Sequence, residues 1–265
     1  MNMKTNTRKM IQIGVAAAVA VMVNLAGVQA AVIADWQFSS NATLTDDSSG
    51  NGNTLANTGV TWSASDGGSA VFNGSAMLNT VATLNLTPYT QITIDWGMKT
   101  TQTAAAIVWE HSSDAYNNAN GMYSAINDSP GVGTIDFLAN RGGAGGTGDA
   151  VIGYTTIPAG GALHHYTMVV DGPATWTGQI QLFVDGVDVT GSYYGVFTQN
   201  GWTQTFLNDT FNIGARSGVI AGLNGSIDYL TISGSVPEPS TWALMALGLG
   251  LLLARGRRFP GLKNR

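Results

Sequence analysis

The sequence contains no cysteine. Disulfide bonds, thiolate metal sites, a cysteine nucleophile and an N-terminal lipoprotein anchor are therefore excluded. Basic residues are scarce between Ala31 and Ser235, where Lys99, Arg141 and Arg216 stand against fifteen acidic residues, a formal charge of −12. Proteins bind nucleic acids and anionic membranes through clustered Lys and Arg, so neither is an expected partner of this region.

Helical periodicity is also missing from this region. Glycine supplies 35 of the 265 residues, about twice its usual share, and Thr, Asn and Ser are abundant. Such a composition favours short strands joined by many turns. The region of 205 residues is long enough for one all-β domain with a sizeable core.

Two segments show the strand pattern most clearly. From Thr90 to Met98 apolar residues alternate with other residues, which predicts a strand with one buried and one wet face. From Gln179 to Thr190 two alternating runs flank Asp185-Gly186, the two-residue turn of a hairpin. Shorter strand candidates recur at the spacing of a sandwich or barrel: Ala31–Phe38, Val60–Trp62, Ser69–Phe72, Ala76–Leu78, Ala104–Glu110, Gly121–Ile126, Thr134–Ala139, Ala150–Tyr154 and Leu163–Val170.

Residues 1–30 have the three parts of a secretory signal peptide. A charged start with Lys4, Arg8 and Lys9 precedes an apolar run, Ile11–Val23, and Val28-Gln29-Ala30 supplies a small-residue cleavage site. An uncleaved N-terminal anchor is the alternative interpretation. In both cases these residues lie outside the folded domain.

The last thirty residues also fall into three parts. Pro237-Glu238-Pro239 precedes an apolar run from Trp242 to Ala254, and a basic cluster follows it: Arg255, Arg257 and Arg258. As a helix, the fourteen residues 241–254 would span about 21 Å, which is short for a permanent anchor in about 30 Å of hydrocarbon. The arginines favour the cytoplasmic side, so everything before Val236 is expected to face outward.

This arrangement closely resembles the PEP-CTERM sorting signal, here residues 236–258, followed by a basic tail at residues 259–265. The resemblance implies export from a Gram-negative, exopolysaccharide-producing bacterium and recognition and cleavage by an exosortase. It also implies transient insertion of the short hydrophobic helix into the inner membrane. The expected destination is the cell surface or the extracellular matrix.

A second resemblance covers nearly all of residues 31–235. It is carried by short segments in a characteristic order: Trp36–Phe38, Asp47–Asn53, Val71–Gly74, Ile92–Trp96, His165–Gly172, Leu182–Gly186, Ile213–Arg216 and Leu223–Tyr229. Together they resemble a laminin-G-like domain of the concanavalin A-like lectin and glucanase fold. The resemblance implies an all-β, antiparallel two-sheet jelly-roll sandwich with its termini side by side.

The Asp47 turn is the best candidate for a metal site. Asp47, Ser49 and Asn51 alternate before Gly52, as oxygen ligands do in the first half of an EF-hand loop. The twelfth position is Thr58, where that loop needs a bidentate glutamate, so a complete EF-hand is not expected.

The resemblance to jelly rolls implies a structural calcium ion (Ca²⁺) in place of an EF-hand. The predicted ligands are Asp47, Asn51, Asn53 and Asp228. Asp228 is included because the two-residue period places it on the same strand face as Leu230, where a carboxylate needs a partner to offset its desolvation. Hydrogen bonding within an Asx turn is the alternative role for Asp47.

Glycan binding calls for exposed aromatic rings and for polar groups that pair with sugar hydroxyls. Two loops offer this mixture, and the predicted contacts are Tyr116, Asn118, Asn120, Tyr193 and Trp202. The alternative is that the aromatic residues of the second loop pack in the core.

Catalysis is not expected. A retaining glycosidase needs two carboxyl groups about 5 Å apart, and Glu110 is the one glutamate between residues 31 and 235. It is interpreted as an ordinary strand-end residue, although a pair of aspartates could substitute. His164 and His165 begin a strand and point to opposite faces, which predicts structural roles.

The sequence therefore predicts an exported, non-catalytic protein of the cell surface or extracellular matrix that binds polysaccharide. Two alternatives stay open at this stage. One is a glycoside hydrolase of concanavalin A-like fold, and the other is an adhesin or matrix component that binds protein.

Overall fold

The computed structural model of the chain describes residues 30–113, 120–128, 131–140, 150–158, 161–172, 180–190 and 205–236. From residue 31 onward they belong to one compact unit, Ala31–Val236. Both sheets and the whole described core lie within this unit, so it contains what a domain needs to fold by itself. Among the described residues no helix has the length and apolar character needed to cross a membrane.

The strands, numbered in chain order, form two large sheets and a short ribbon. In the eight-stranded sheet the order is β14-β13-β12-β7-β17-β4-β3, and β1 also pairs with β17. Its strands are β1 (Ala31–Trp36), β3 (Thr61–Ser63), β4 (Ser69–Asn73), β7 (Gln91–Thr100), β12 (His164–Asp171), β13 (Ile180–Val184), β14 (Val187–Asp188) and β17 (Asn224–Ser235).

The seven-stranded sheet has the order β11-β10-β9-β8-β16-β5-β2. Its strands are β2 (Leu55–Thr58), β5 (Met77–Thr80), β8 (Ala106–His111), β9 (Met122–Ile126), β10 (Thr134–Asn140), β11 (Ala150–Thr156) and β16 (Phe211–Ile213). The ribbon pairs β6 (Leu84–Asn85) with β15 (Asn208–Asp209), and two 3₁₀ turns lie at Asn41–Thr43 and Ser65–Gly67. Each of these strand pairings is antiparallel, and Ala31 pairs with Gly234, which brings the two ends of the domain together.

The core lies between the inner faces of the two large sheets. As the alternation predicts, β7 turns four fully buried side chains inward: Ile92, Ile94, Trp96 and Met98. Trp96 stacks on Tyr166 with ring centroids 5.5 Å apart and meets the edge of Trp109 at 6.0 Å. Trp109 in turn stacks on Phe211 at 5.7 Å. This column of rings joins strands of both sheets, and each such pair adds about 1 kcal/mol beyond area burial.

The prediction of an all-β, antiparallel two-sheet sandwich is confirmed. The predicted hairpin turn has the required positive φ angles, 50° at Asp185 and 77° at Gly186. The sequence pattern did not predict β2, β6 and β15, because four-residue and two-residue strands are too short to show alternation.

His111 is a fully buried polar side chain on the core face of β8. Its Nε2 donates a hydrogen bond to the Leu84 carbonyl at 3.1 Å. Burial lowers the pKa of His111 from 6.5 to about 4, although the Leu84 hydrogen bond and the Asp209 carboxylate act in the opposite direction. The imidazole is therefore neutral in the folded protein at neutral pH.

We expect this histidine to destabilise the fold in acid. The unfolded chain takes up a proton near pH 6.5 and the folded chain near pH 4, so stability is full above pH 6.5 and falls as the pH drops toward 4. The loss is about 3 kcal/mol. Chemical unfolding at neutral and acidic pH measures this loss. The difference in unfolding free energy between wild type and His111→Gln should narrow in acid. A gap independent of pH would contradict the assignment.

Candidate functional site

The Asp47 turn is held by hydrogen bonds to the backbone. Oδ1 of Asp47 accepts from the N–H groups of Asp35 and Ser49, both at 3.0 Å, and Oδ2 accepts from that of Asn53 at 2.8 Å. Partial burial by itself would raise the pKa of Asp47, but the hydrogen bonds from Ser49, Asn53 and Asp35 together hold it below its ordinary value. The carboxylate thus ties the turn to β1.

The two predicted asparagine ligands also contact β1. Nδ2 of Asn51 donates to the carbonyls of Val32 at 2.9 Å and Ile33 at 3.0 Å, and Nδ2 of Asn53 donates to Ile33 at 2.7 Å. The Trp36 indole donates to the Asn53 carbonyl at 2.8 Å. These contacts fit a self-contained Asx-type turn.

Asp228 lies in different surroundings from the predicted ones. It is the extra residue of a β-bulge, because Ile227 pairs with Met98 and Tyr229 with the adjacent Gly97. Ile227 is buried and Asp228 is half-buried, so the prediction that Asp228 shares the apolar face of Leu230 is wrong.

Burial raises the pKa of Asp228. The nearby Asp66 carboxylate acts in the same direction, and His165 acts in the opposite direction. In the described part of the chain no cluster of three or more His, Asp or Glu side chains could hold a metal ion. Asp47, Asn51 and Asn53 fit a hydrogen-bonded turn. Calcium binding at these residues and Asp228 stays a prediction.

Replacing Asp47 with alanine is expected to cost about 3 kcal/mol of unfolding free energy, because three backbone N–H groups lose a charged acceptor. The stabilisation is present above pH 3.8 and is lost as the pH falls below that value. Urea unfolding in EDTA measures the loss, and Asp46→Ala, at the exposed neighbouring position, should change little. A calcium-dependent rise in melting temperature that disappears in Asp47→Ala would instead place the ion at this turn.

Most residues of the predicted glycan and sorting sites lie outside the described residues. These are Tyr116, Asn118, Tyr193 and Trp202, together with Pro237, Glu238, Pro239, Arg255, Arg257 and Arg258. Asn120 is described and lies half-buried just before β9, with a φ of 67°. Asparagine adopts this left-handed conformation more readily than most residues.

Two adjoining depressions lie where β7 ends and β17 begins, and we call them together the end groove. Their volumes are about 310 Å³ and about 460 Å³, and both are lined by Thr100, Thr101 and Gly161. Six of the thirteen described residues that line the first carry side-chain hydroxyl groups: Ser63, Ser65, Ser69, Thr100, Thr101 and Ser226. The second reaches the turn between β9 and β10 and the end of β11, so the end groove spans both sheets.

Hydrogen bonds from side chains to the backbone hold the base of the end groove in place. Oε1 of Gln102 accepts from the Asn224 N–H at 2.6 Å, and Thr100 Oγ1 donates to the Asn224 carbonyl at 2.8 Å. Nδ2 of Asn127 donates to the carbonyls of Gln102 at 2.9 Å and Ala104 at 3.2 Å. The end groove is therefore preorganised, which lowers the entropic cost of binding.

Polar atoms face the first depression. Ser69 is only 2% exposed, and its hydroxyl has no hydrogen-bond partner among the residues that the structure describes. An unpaired buried hydroxyl is costly to the fold. At the rim, Lys99 Nζ lies 3.3 Å from the Asp66 carboxylate, with both side chains partly exposed.

An aromatic pair lies beside this depression on the outer face of the eight-stranded sheet. The rings of His165 and Tyr229 stack with centroids 5.8 Å apart, and His165 Nδ1 lies 3.3 Å from the Tyr229 hydroxyl. Gly97 lies between them in the sheet and Lys99 is two residues further along β7. A Cβ at Gly97 would come within 3.1 Å of the Tyr229 ring, so any larger residue there would crowd the pair.

Sequence reasoning assigned both histidines to structural roles and did not predict that His165 stacks on Tyr229. His164 does have one: its Nδ1 lies 2.8 Å from the Asp185 carboxylate in the hairpin turn. His165 stacks on Tyr229 on the exposed face of the sheet, and its role stays a prediction. Gly97 was the available signal, since a glycine inside an alternating strand often marks a close approach of another group.

Glu110 is not an ordinary strand-end residue. It is fully buried in β8, its Oε1 lies 3.7 Å from Arg216 Nε, and its Oε2 accepts from the Ser217 N–H at 3.2 Å. The Arg216 guanidinium lies 5.0 Å over the Tyr123 ring. Glu110 therefore belongs to a buried ionic contact that links β8 to the segment after β16.

Residues 235–258 match the PEP-CTERM protein-sorting motif. No curated protein matches the chain. Among solved structures, domain 4 of AbnA, an extracellular GH43 arabinanase from Geobacillus stearothermophilus determined with arabinotriose, is 18% identical with a TM-score of 0.54. The match covers 80% of this chain and 96% of that one.

Two botulinum neurotoxin structures share the fold at 11% identity. The binding domain of type DC in complex with SialylT has a TM-score of 0.51, with 83% of this chain and 52% of that one covered. A type C structure, described by cell entry through two ganglioside molecules, has a TM-score of 0.54, with 83% and 51% covered. This chain spans about half the length of these toxin structures. The chain thus carries a PEP-CTERM sorting motif directly after a two-sheet β-sandwich, the fold of these binding domains, and the motif indicates a secreted protein sorted to the cell surface.

Proposed function

We propose that this protein is an exported, non-catalytic carbohydrate-binding module of the cell surface or extracellular matrix, and that it holds polysaccharide in the end groove. The observation that carries the proposal is the end groove itself, with its wall of hydroxyl groups and its fixed floor. The His165 and Tyr229 rings next to it supply an aromatic surface.

The chemistry of this surface suits sugar. Sugar hydroxyls both donate and accept hydrogen bonds, as do the Ser and Thr hydroxyls of the first depression. Pyranose and furanose rings present C–H faces that pack on aromatic side chains. Binding of this kind needs no catalytic carboxylate. The one glutamate of the domain, Glu110, contacts Arg216.

The structural neighbours support the class of ligand. The arabinanase domain was determined with arabinotriose, and the type DC toxin domain with SialylT. These ligands belong to those proteins, and identities of 18% and 11% carry only the fold to this chain. We infer from the shared fold and the hydroxyl-lined end groove that the ligand here is also a glycan.

The sorting motif supplies the cellular setting of the proposal. An exosortase is the expected processing partner at Pro237-Glu238-Pro239, and the apolar run before Arg255 would enter the inner membrane of a Gram-negative cell only transiently. The sandwich precedes this segment and therefore works outside the cell.

A glycan array tests the proposal most simply. Purified Ala31–Val236 is applied to an array that includes the producing organism's own exopolysaccharide, with calcium and again with EDTA. We expect saturable binding without turnover. Binding lost in EDTA and restored by calcium would support the predicted ion. Hydrolysis of a glycan would favour a hydrolase. Absence of binding to every glycan, by protein shown to be folded, would favour a protein-binding adhesin.

A further inference from the structure

An ion pair lies on the wall of the first depression of the end groove. Lys99 Nζ donates to Asp66 Oδ2 at 3.3 Å, and both residues line the depression. Their side chains are 44% and 33% exposed, so a ligand can reach both charged groups. An ammonium group has three N–H donors and a carboxylate has about four acceptor sites. The pair therefore presents hydrogen-bond donors and acceptors side by side.

The backbone holds both members of the pair in place. Lys99 belongs to β7, and Asp66 lies in the 3₁₀ turn after β3 with a φ of 57°. The Gly68 N–H closes this turn by donating to the Ser65 carbonyl at 3.0 Å. A Cβ on Gly68 would come within 2.8 Å of the Ser39 carbonyl, so the turn packs closely on the segment after β1. The pair is fixed in position before any ligand binds.

The chemistry of the pair matches a hydroxyl group better than an anion. A sugar hydroxyl can donate to the Asp66 carboxylate and also accept from the Lys99 ammonium. Such charge-assisted hydrogen bonds are stronger than neutral ones. A carboxylate or sulfate group on a sugar can only accept, so it would compete with Asp66 for Lys99 and would be repelled by the Asp66 carboxylate.

The charge around the groove acts in the same direction. Burial raises the pKa of Asp228 and the Asp66 carboxylate raises it further, so these two acidic groups lie within electrostatic reach of each other. Residues 31–235 together carry a formal charge of −12, three basic residues against fifteen acidic ones. An anionic polymer would therefore approach this domain against electrostatic repulsion.

We propose that the Asp66–Lys99 pair makes the end groove selective for neutral polysaccharide. The pair binds hydroxyl groups of a neutral sugar and excludes uronic acids and sulfated sugars. The selectivity rests on the proposed function, because it names the class of glycan that this same groove holds. Asp66 is then a specificity-determining residue, since it occupies the ammonium group that an anionic sugar would need.

Three forms of one polymer test this selectivity. The producing organism's exopolysaccharide is carboxyl-reduced to a neutral form, part of that form is oxidised at its primary hydroxyls to carboxylates, and part of the oxidised form is methyl-esterified. Calorimetric titration of Ala31–Val236 at low salt measures the three affinities. We expect the oxidised form to bind at least about tenfold more weakly than the neutral form. The ester, which has lost the charge, should regain most of that affinity.

Two variants assign the selectivity to the ion pair. Asp66→Asn removes the carboxylate that occupies Lys99, and asparagine adopts the left-handed backbone conformation readily. We expect the ratio of neutral to oxidised affinity to fall below about threefold in this variant. Asp46→Asn is the matched control, because it removes one acidic charge at an exposed residue that lines neither depression. Its ratio should equal that of the wild type.

Equal affinity for the neutral and oxidised forms, or an affinity loss that the ester does not reverse, would overturn the selectivity. The same fall of the ratio in Asp46→Asn would assign the preference to overall charge and overturn the role of the pair. Tighter binding of the oxidised form would leave the proposed function standing and defeat the selectivity alone. Absence of binding to all three forms, by protein shown to be folded, would contradict the proposed function itself.

Discussion

Replacing Ser226 with tryptophan is expected to abolish most glycan binding while the domain stays folded. Ser226 is half-buried on the outer face of β17, pairs with Lys99 and Val71, and lines the first depression. An indole at this position fills the space that a sugar ring would occupy and covers Ser69. We expect affinity to fall at least about tenfold, the equivalent of 1.4 kcal/mol.

Ser233→Trp is the matched control. Ser233 is half-buried, lies on the same outer face of the same strand and pairs with Thr93, but it is seven residues further from the groove. Calorimetric titration with a glycan that binds the wild type measures both variants, and thermal unfolding checks that both fold. Equal affinity for the two variants would move the binding site away from the end groove.

Replacing Gly214 with alanine is expected to have the largest effect on stability. Its φ is +81°, and a Cβ there would overlap the buried Phe72 ring. The backbone has little freedom to move, since its N–H donates to Val108 at 2.7 Å and its carbonyl accepts from Leu223 at 2.7 Å. Left-handed strain and overpacking together should cost about 3–5 kcal/mol.

Gly50→Ala separates the two costs. Gly50 has nearly the same φ, +82°, but a Cβ there would meet no atom within 4 Å. Only the conformational cost of about 1–2 kcal/mol should remain. Denaturant unfolding of both variants gives the comparison, and a Gly214→Ala protein as stable as Gly50→Ala would show that the Phe72 contact is wrong.

The architecture could be predicted from local patterns because one sheet face is buried throughout. The alternation from Ile92 to Met98 fixed the inward face of β7, and Asp185-Gly186 fixed the hairpin turn, each within a few residues of chain. The bulge at Asp228 could not be predicted this way. It depends on which residues of β7 pair with β17, and one extra residue reverses the faces on either side of it.

The candidate site was harder to predict than the fold. Ser69, Thr100 and Ser226 are small, common residues from strands far apart in sequence, and they meet only once the sheet is assembled. No motif joins them. Sequence reasoning looked instead for aromatic loops, and it read Glu110 as a strand-end residue because the Arg216 contact comes from more than a hundred residues away.

The central claim is that the end groove binds carbohydrate, and nuclear magnetic resonance mapping tests it most directly. Isotope-labelled Ala31–Val236 is titrated with oligosaccharides prepared from the producing organism's exopolysaccharide. We predict saturable amide shifts concentrated at Ser69, Thr100, Thr101 and Ser226, with Ser233 unchanged. Shifts confined to other parts of the domain, or none at high ligand concentration, would contradict the account.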